Sequence, residues 1–209
     1  MSGHLTFSTG SLIGAAAGFW KAYLVRLDTQ AITSAFRLIG SCGNGSGGTG
    51  AWDFLLSGAN ANARFECIDG AGAVKQAPAI TFTSADVGKL LLLAGTHTGT
   101  ALLSFARRVQ IAGSTALTGY RLPTGQERIG DPTTPPQGIT VMGTMGGLGV
   151  LDIAEYQAAC DACMAAEDIV AVPGKTDQIV SFKNGQIPAS LALTGSLTMS
   201  PQYARSWGW

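Results

Sequence analysis

The chain has 209 residues and no net formal charge, long enough to bury a substantial core in one domain or in a core with a smaller appendage. Charged residues make up 12% of it, about half the roughly 25% usual for globular domains, while its 29 glycines are about double the average share. Its 13 Lys and Arg are scattered, with Arg107-Arg108 the one basic pair, which argues against nucleic acid as a primary partner. So sparsely charged a surface suits coverage by neighbours, and a permanent oligomer or lattice component is expected.

The opening "MSGHLTFSTG" lacks the basic and apolar regions of a secretory signal. The longest apolar run, Leu12 to Trp20, is broken by glycines and ends at Lys21, so no targeting segment and no membrane span are expected. In "FWKAYLVRLD", Phe19, Tyr23, Val25 and Leu27 alternate roughly against Lys21, Arg26 and Asp28, which predicts a strand buried on one face. "AITSAFRLIG" is a second strand candidate. The stretch "GSCGNGSGGTG" separates it from "AWDFLL", and "ARFECID" is a further strand ending at the turn "DGAG".

Gly43, Gly45 and Gly48 spell G-x-G-x-x-G after a strand candidate, and Asp69 follows where a dinucleotide fold would place its ribose-binding acid. That motif needs a helix opening after its third glycine, and "TGAWDFLLSGANANA" offers none; the segment reads better as a connection between strands.

"AITFTSADVGKLLLLAG", residues 79–95, admits two readings. In one, Ser84 caps a helical turn and Leu90 to Leu93 form the buried strand of an α/β enzyme. In the other, Asp86 to Lys89 is a tight turn between two strands of a β-rich structural protein. Strands of five to nine residues with Gly, Asn, Ser or Thr between them up to about Tyr120 fit a sandwich or barrel. His97 in "GTHTGT" has no nucleophile signature beside it and is read as a polar loop residue.

In "RLPTGQERIGDPTTPPQG", residues 121–138, Pro123, Pro132, Pro135 and Pro136 argue against a regular interior strand and for an exposed arm. After the short strand "GITVM" comes the one strong helix, "LDIAEYQAACDACMAAED". Asp152 is its N-cap, and Ile153, Tyr156, Cys160, Cys163 and Met164 form its apolar stripe. Its carboxylates, with no base among them, must face water or meet a basic surface. Cys160 and Cys163 form C-x-x-C within this helix, where two small apolar packing residues are the simpler reading than a metal or redox pair. The four cysteines are too few and too irregularly spaced for a disulfide scaffold, so cytosolic synthesis with reduced thiols is expected. "VPGKT" at 172–176 has the end of a phosphate-binding loop, but Ile169 stands where that loop requires its first glycine. "QIVSF" and "SLALTGSLTM" are the last strand candidates, before the aromatic tail "SPQYARSWGW".

"ITFTSADVGKLLLLAG" followed by "TGTALLSFARRVQIAGSTALTG" resembles a segment recurrent in bacteriophage tail-fibre and tailspike proteins, carried by Phe82, Ala85, Asp86, Val87, Gly88, Lys89 and Gly95. The resemblance covers about 40 of the 209 residues. It implies that "SADVGK" sets the register of a β-hairpin and is structural; no repetitive β-helix follows, so a polysaccharide-cleaving spike is not implied.

The reading is therefore a mainly β fold, sandwich or barrel-like, with one helix near 151–168. Residues 1–122 would be a β-rich core, 123–149 a Pro/Gly-rich arm or linker with a short strand, and 150–209 a helix, strands and a C-terminal docking tail. The expected function is that of a non-enzymatic virion structural protein, tail-associated as a fibre, tail-tip or adaptor component. A capsid decoration protein is the alternative, and a dinucleotide-binding enzyme using the Gly43–Gly48 loop a remote one. No catalytic, cofactor-binding or metal site is assigned. Candidate interface residues are Pro132, Pro135, Pro136, Tyr203, Trp207 and Trp209. Expected partners are further copies of the chain, by resemblance as a trimer, other virion proteins and a host surface receptor.

Overall fold

A computed structural model of the chain describes residues 3–7, 18–28, 37–43, 50–57, 61–123, 127–130, 138–183 and 191–195. Its strands are β1 (Gly3–Phe7), β2 (Phe19–Leu27), β3 (Arg37–Gly43), β4 (Gly50–Ser57) and β5 (Asn62–Ile68). They continue as β6 (Val74–Gln76), β7 (Ile80–Thr81), β8 (Leu90–His97), β9 (Ala101–Ala106) and β10 (Val109–Gln110). After β11 (Thr115–Ala116), β12 (Glu127–Ile129) and β13 (Ile139–Leu148) come the helix α1 (Ile153–Ala166), β14 (Gln178–Ser181) and β15 (Leu191–Gly195). The fold is mainly β: two antiparallel sheets, not a closed barrel, with one helix among the described residues, as a β-sandwich requires.

The first sheet runs in the order β15-β1-β12-β3-β4-β5-β6, with β7 also on β5; the second runs β10-β9-β8-β2-β13-β14, with β11 also on β9. Between them lies one apolar layer, including Phe19, Tyr23, Val25, Phe54, Phe65, Leu91 and Leu93. A second layer, on the far side of the second sheet, joins Trp20, Ala22, Leu24, Leu92, Ala94, Phe105 and Met145 to Tyr156, Ala159, Cys160 and Cys163 of α1. Strands β2 and β8 are thus covered on both faces, which is why "LLLLA" is a continuous apolar run rather than an alternating one. Burying each large apolar side chain fully contributes about 1.5–3 kcal/mol. Gly95 of β8 has a packing reason: a Cβ there would lie 2.2 Å from Cγ of Phe65 on the facing sheet.

Several expectations are corrected. Strand β2 is not half buried, and Lys21 does not oppose Phe19 and Tyr23. Side chains alternate with period two, so Lys21 shares their inward face and is fully buried. Nor is "SADVGK" a hairpin turn, because β7 pairs with β5 in the first sheet while β8 lies between β2 and β9 in the second. It is the step from one sheet to the other, made by a 3₁₀ turn at Ser84–Asp86 in which Asp86 Oδ2 accepts from Thr83 N at 2.7 Å. Gly88 N then donates to Leu27 O at 2.7 Å, tying the step to β2.

The Pro-rich segment does contribute an interior strand: β12 pairs with β1 on one side and β3 on the other. Three residues suffice, since no proline of the segment falls within Glu127–Ile129. The helix begins as expected, with Asp152 Oδ1 accepting from Glu155 N at 2.8 Å and Glu155 Oε2 accepting from Asp152 N at 2.9 Å. Ile153 is the exception on its stripe, standing 38% exposed at the helix start, beyond the cover of the sheet.

Candidate functional site

Pro132, Pro135, Pro136, Tyr203, Trp207 and Trp209 lie outside the described residues, as do Gly45 and Gly48. Gly43 ends β3, whose antiparallel neighbour in the sheet is the next strand, β4. A dinucleotide motif needs a parallel strand reached through a helix, so this loop joins neighbouring strands, as its composition implied. Asp69 closes its own turn, its Oδ1 accepting from Ala71 N at 3.0 Å and Ala73 N at 2.8 Å. In "VPGKT", Val172 O accepts from Lys175 N and Thr176 N, both at 3.1 Å, and Lys175 Nζ donates to Val150 O and meets Glu155.

His97 is a correction: it is the buried last residue of β8, its ring 5.5 Å from Phe19 and 5.0 Å from Tyr120 by centroid. Burial pushes its pKa down. All four cysteines are buried and none is in a disulfide, and burial pushes the Cys160 and Cys163 thiols up, away from reactivity. No cluster of three or more His, Cys, Asp or Glu suited to a metal occurs among the described residues.

Among the described residues, three constellations of charged groups stand out beside simpler pairs such as Arg26–Asp28 and Lys75–Asp69. In the first, between the sheets, Lys21 Nζ donates to Glu127 Oε1 and Gln178 Oε1, and Gln178 Nε2 donates to Glu127 Oε2 at 3.1 Å. Lys21 and Gln178 both pair in register with Gly146 of the strand between them, which places the two side chains on one face of the sheet. The ammonium also lies 5.9 Å from the Tyr23 ring centroid and 5.8 Å from that of Trp52. Burial lowers its pKa and Glu127 opposes that shift. Being sealed, this network can orient the sheets but cannot meet a ligand.

The second is on the opposite face of the first sheet. Trp52 and Cys67 point into the core in register, so the adjoining pair Asp53 and Glu66 point out together. Glu66 Oε1 accepts from Gln76 Nε2 at 2.6 Å, and Gln76 Oε1 accepts from Arg64 Nη1 at 2.6 Å. Asp53 Oδ1 and the neighbouring Ser41 Oγ have no hydrogen-bond partner. Burial, and then the nearby Glu66 charge, push the Asp53 carboxyl up to about 7.

The third is the two-residue turn between β9 and β10. Arg107 Nε donates to Asp86 Oδ1 at 2.8 Å and its Nη2 to Thr81 O at 2.8 Å, while Arg108 pairs with Asp161 of α1. The acidic helix thus does meet bases: Arg108 at Asp161, and Lys175 at Glu155 at 3.0 Å.

Of these, sequence reasoning missed the Lys21 network, although strict period-two counting from Phe19 would have placed Lys21 inward. The acids inside "WDF" and "FEC" carried a similar signal, each being flanked by residues bound for the core.

No family model matches this chain, and no curated protein matches it. Among solved structures it is similar in fold to botulinum neurotoxin binding domains. The serotype D binding domain has a TM-score of 0.59 at 8% identity, over 77% of this chain and 40% of that one. The type G receptor-binding domain has 0.51 at 14%, over 68% and 37%. A type C structure, whose cell entry is described as dependent upon interaction with two ganglioside molecules, has 0.55 at 9%, over 71% and 36%. The chain therefore spans less than half the length of these structures, and at such identity the likeness is one of fold.

Proposed function

We propose that this protein is a non-enzymatic structural component of a bacteriophage particle, tail-associated, acting through contacts with further copies of itself, other virion proteins and a host surface receptor. The observation that carries this reading is the "FTSADVGK…LLLLAG" phrase, which resembles a segment of tail-fibre and tailspike proteins. Three residues of the phrase have a structural use here: Phe82 is buried, Asp86 is held by Thr83 and Arg107, and Gly88 ties the sheet-to-sheet step to β2. The charged fraction of 12% supports a surface meant to be covered. Similarity in fold to receptor-binding domains supports the receptor-facing part of the proposal.

Immunogold labelling of purified particles with antibody against this chain tests the assignment. Label at the tail is the expected result; label on the head surface would favour a decoration protein, and particles without label would sink the virion reading. Deleting residues 201–209, which removes Tyr203, Trp207 and Trp209, should leave a folded β core and reduce incorporation into particles, read by the same label.

A further inference from the structure

Among the described residues, strand β14 is the outermost strand of the second sheet. It pairs with β13 through Gly146↔Gln178, Met145↔Ile179, Thr144↔Val180 and Gly143↔Ser181, and Phe182 N donates to Met142 O at 2.9 Å. In an antiparallel ladder the bonded rows alternate, so residues 178, 180 and 182 turn their backbone groups towards β13. Ile179 and Ser181 turn theirs outward. Ile179 is also an exposed apolar side chain, 45% accessible, on an edge of the kind that proteins ordinarily blunt with charge or proline.

The stretch around this edge reads Asp177-Gln178-Ile179-Val180-Ser181-Phe182-Lys183, with an acid and a base each three residues from Val180 and both exposed; within the chain Asp177 Oδ2 accepts from Leu148 N at 2.7 Å and Lys183 Nζ donates to Ala166 O at 2.6 Å, which leaves each a second bond to make across an edge. Antiparallel pairing of the stretch with itself about Val180 sets Ile179 opposite Ser181 of the second copy, so that their outward N–H and C=O groups exchange hydrogen bonds. The same register sets Asp177 opposite Lys183 of the second copy, twice by symmetry. Parallel pairing, or a shift by two residues, loses this match of charges.

We infer that β14 is a self-association edge, on which a second copy of the chain docks antiparallel about Val180 and extends the second sheet across a two-fold axis. This rests on the proposed oligomeric role and names the contact for it; being two-fold, it joins subunits, or trimers, in pairs. A short edge pairing covers less than the roughly 1,200–2,000 Å² of a stable interface, so association through it is reversible and concentration-dependent unless other contacts add to it.

Sedimentation velocity of the full chain over a range of concentrations tests the contact, with far-UV circular dichroism confirming that each variant is folded. Lys183→Glu turns two attractions into two repulsions and should weaken association about ten-fold. Asp177→Lys combined with Lys183→Glu restores opposite charges and should restore association. Ile179→Pro removes an outward donor without touching a bond to β13, and should abolish association. A wild-type chain that is monomeric throughout overturns both this contact and the oligomeric reading. An oligomer indifferent to Lys183→Glu and Ile179→Pro, or one not restored by the double charge reversal, overturns the β14 contact and leaves the oligomeric reading standing.

Discussion

Lys21 of β2 and Glu127 of β12 form an ion pair across the space between the two sheets, with both side chains sealed from solvent. Taking two charges out of water is costly, and removing one partner leaves the other without compensation. Glu127→Gln should therefore destabilise the fold by about 3–5 kcal/mol, read as a lowered urea midpoint. Replacing the pair together, Lys21→Met with Glu127→Leu, should recover most of that loss, because apolar side chains of similar size suit the layer around them.

Asp86 holds the step between the sheets. The Arg107 guanidinium beside it is the main cause that brings its carboxyl from 3.8 down to about 2. A folded-state pKa below the unfolded one means the clamp's contribution is complete above about pH 4 and lost as pH falls through about 2. Asp86→Asn should cost about 1.5–3 kcal/mol at pH 7, the usual range for hydrogen bonds to a charged group. Its acid unfolding curve between pH 4 and 2 should be flatter than that of wild type, followed by circular dichroism.

Arg107 and Arg108 both adopt left-handed backbone, with φ of 51° and 64°, where a hairpin turn of this kind favours Asn-Gly. That conformation costs non-glycine residues roughly 1–2 kcal/mol each. Arg108→Gly relieves the strain and gives up only an exposed ion pair with Asp161, so the melting temperature should stay level or rise slightly. Arg107→Gly gives up the bonds to Asp86 and Thr81 and should lower it clearly. Equal effects of the two substitutions would refute this division of roles.

The outward carboxylates of the first sheet predict an opposite pH trend. Asp53 is raised to about 7 and Glu66 is raised as well, both chiefly by burial. An acid whose folded pKa is raised contributes most below its unfolded value and loses that contribution as pH climbs through the folded one. Wild-type stability should thus decline between about pH 4 and 7, and Asp53→Asn should remove much of the decline, a gain of about 2–4 kcal/mol at pH 8. Urea midpoints at pH 5 and pH 8 check it.

Short strands with one helix between them are legible in the residues alone. Period-two and apolar runs such as "ARFECI" and "LLLLAG" and the Asp152 N-cap are local signals, set by backbone sterics and burial within a few residues. Which strand lies beside which is set by the assembled sheets, because pairing depends on contacts far apart in the chain. Thus "SADVGK", a hairpin turn by its residues, became a passage between sheets when β7 found β5 and β8 found β2. A three-residue strand amid prolines could be read as interior only once β1 and β3 flanked it. Lys21, Glu127 and Gln178 are separated by 106 and 157 positions from Lys21 onward, and nothing local announces that an amine, a carboxylate and an amide will share one dry site. Charge placed in a core is stable only when partners arrive from distant strands, and that arrival is a property of the folded sandwich.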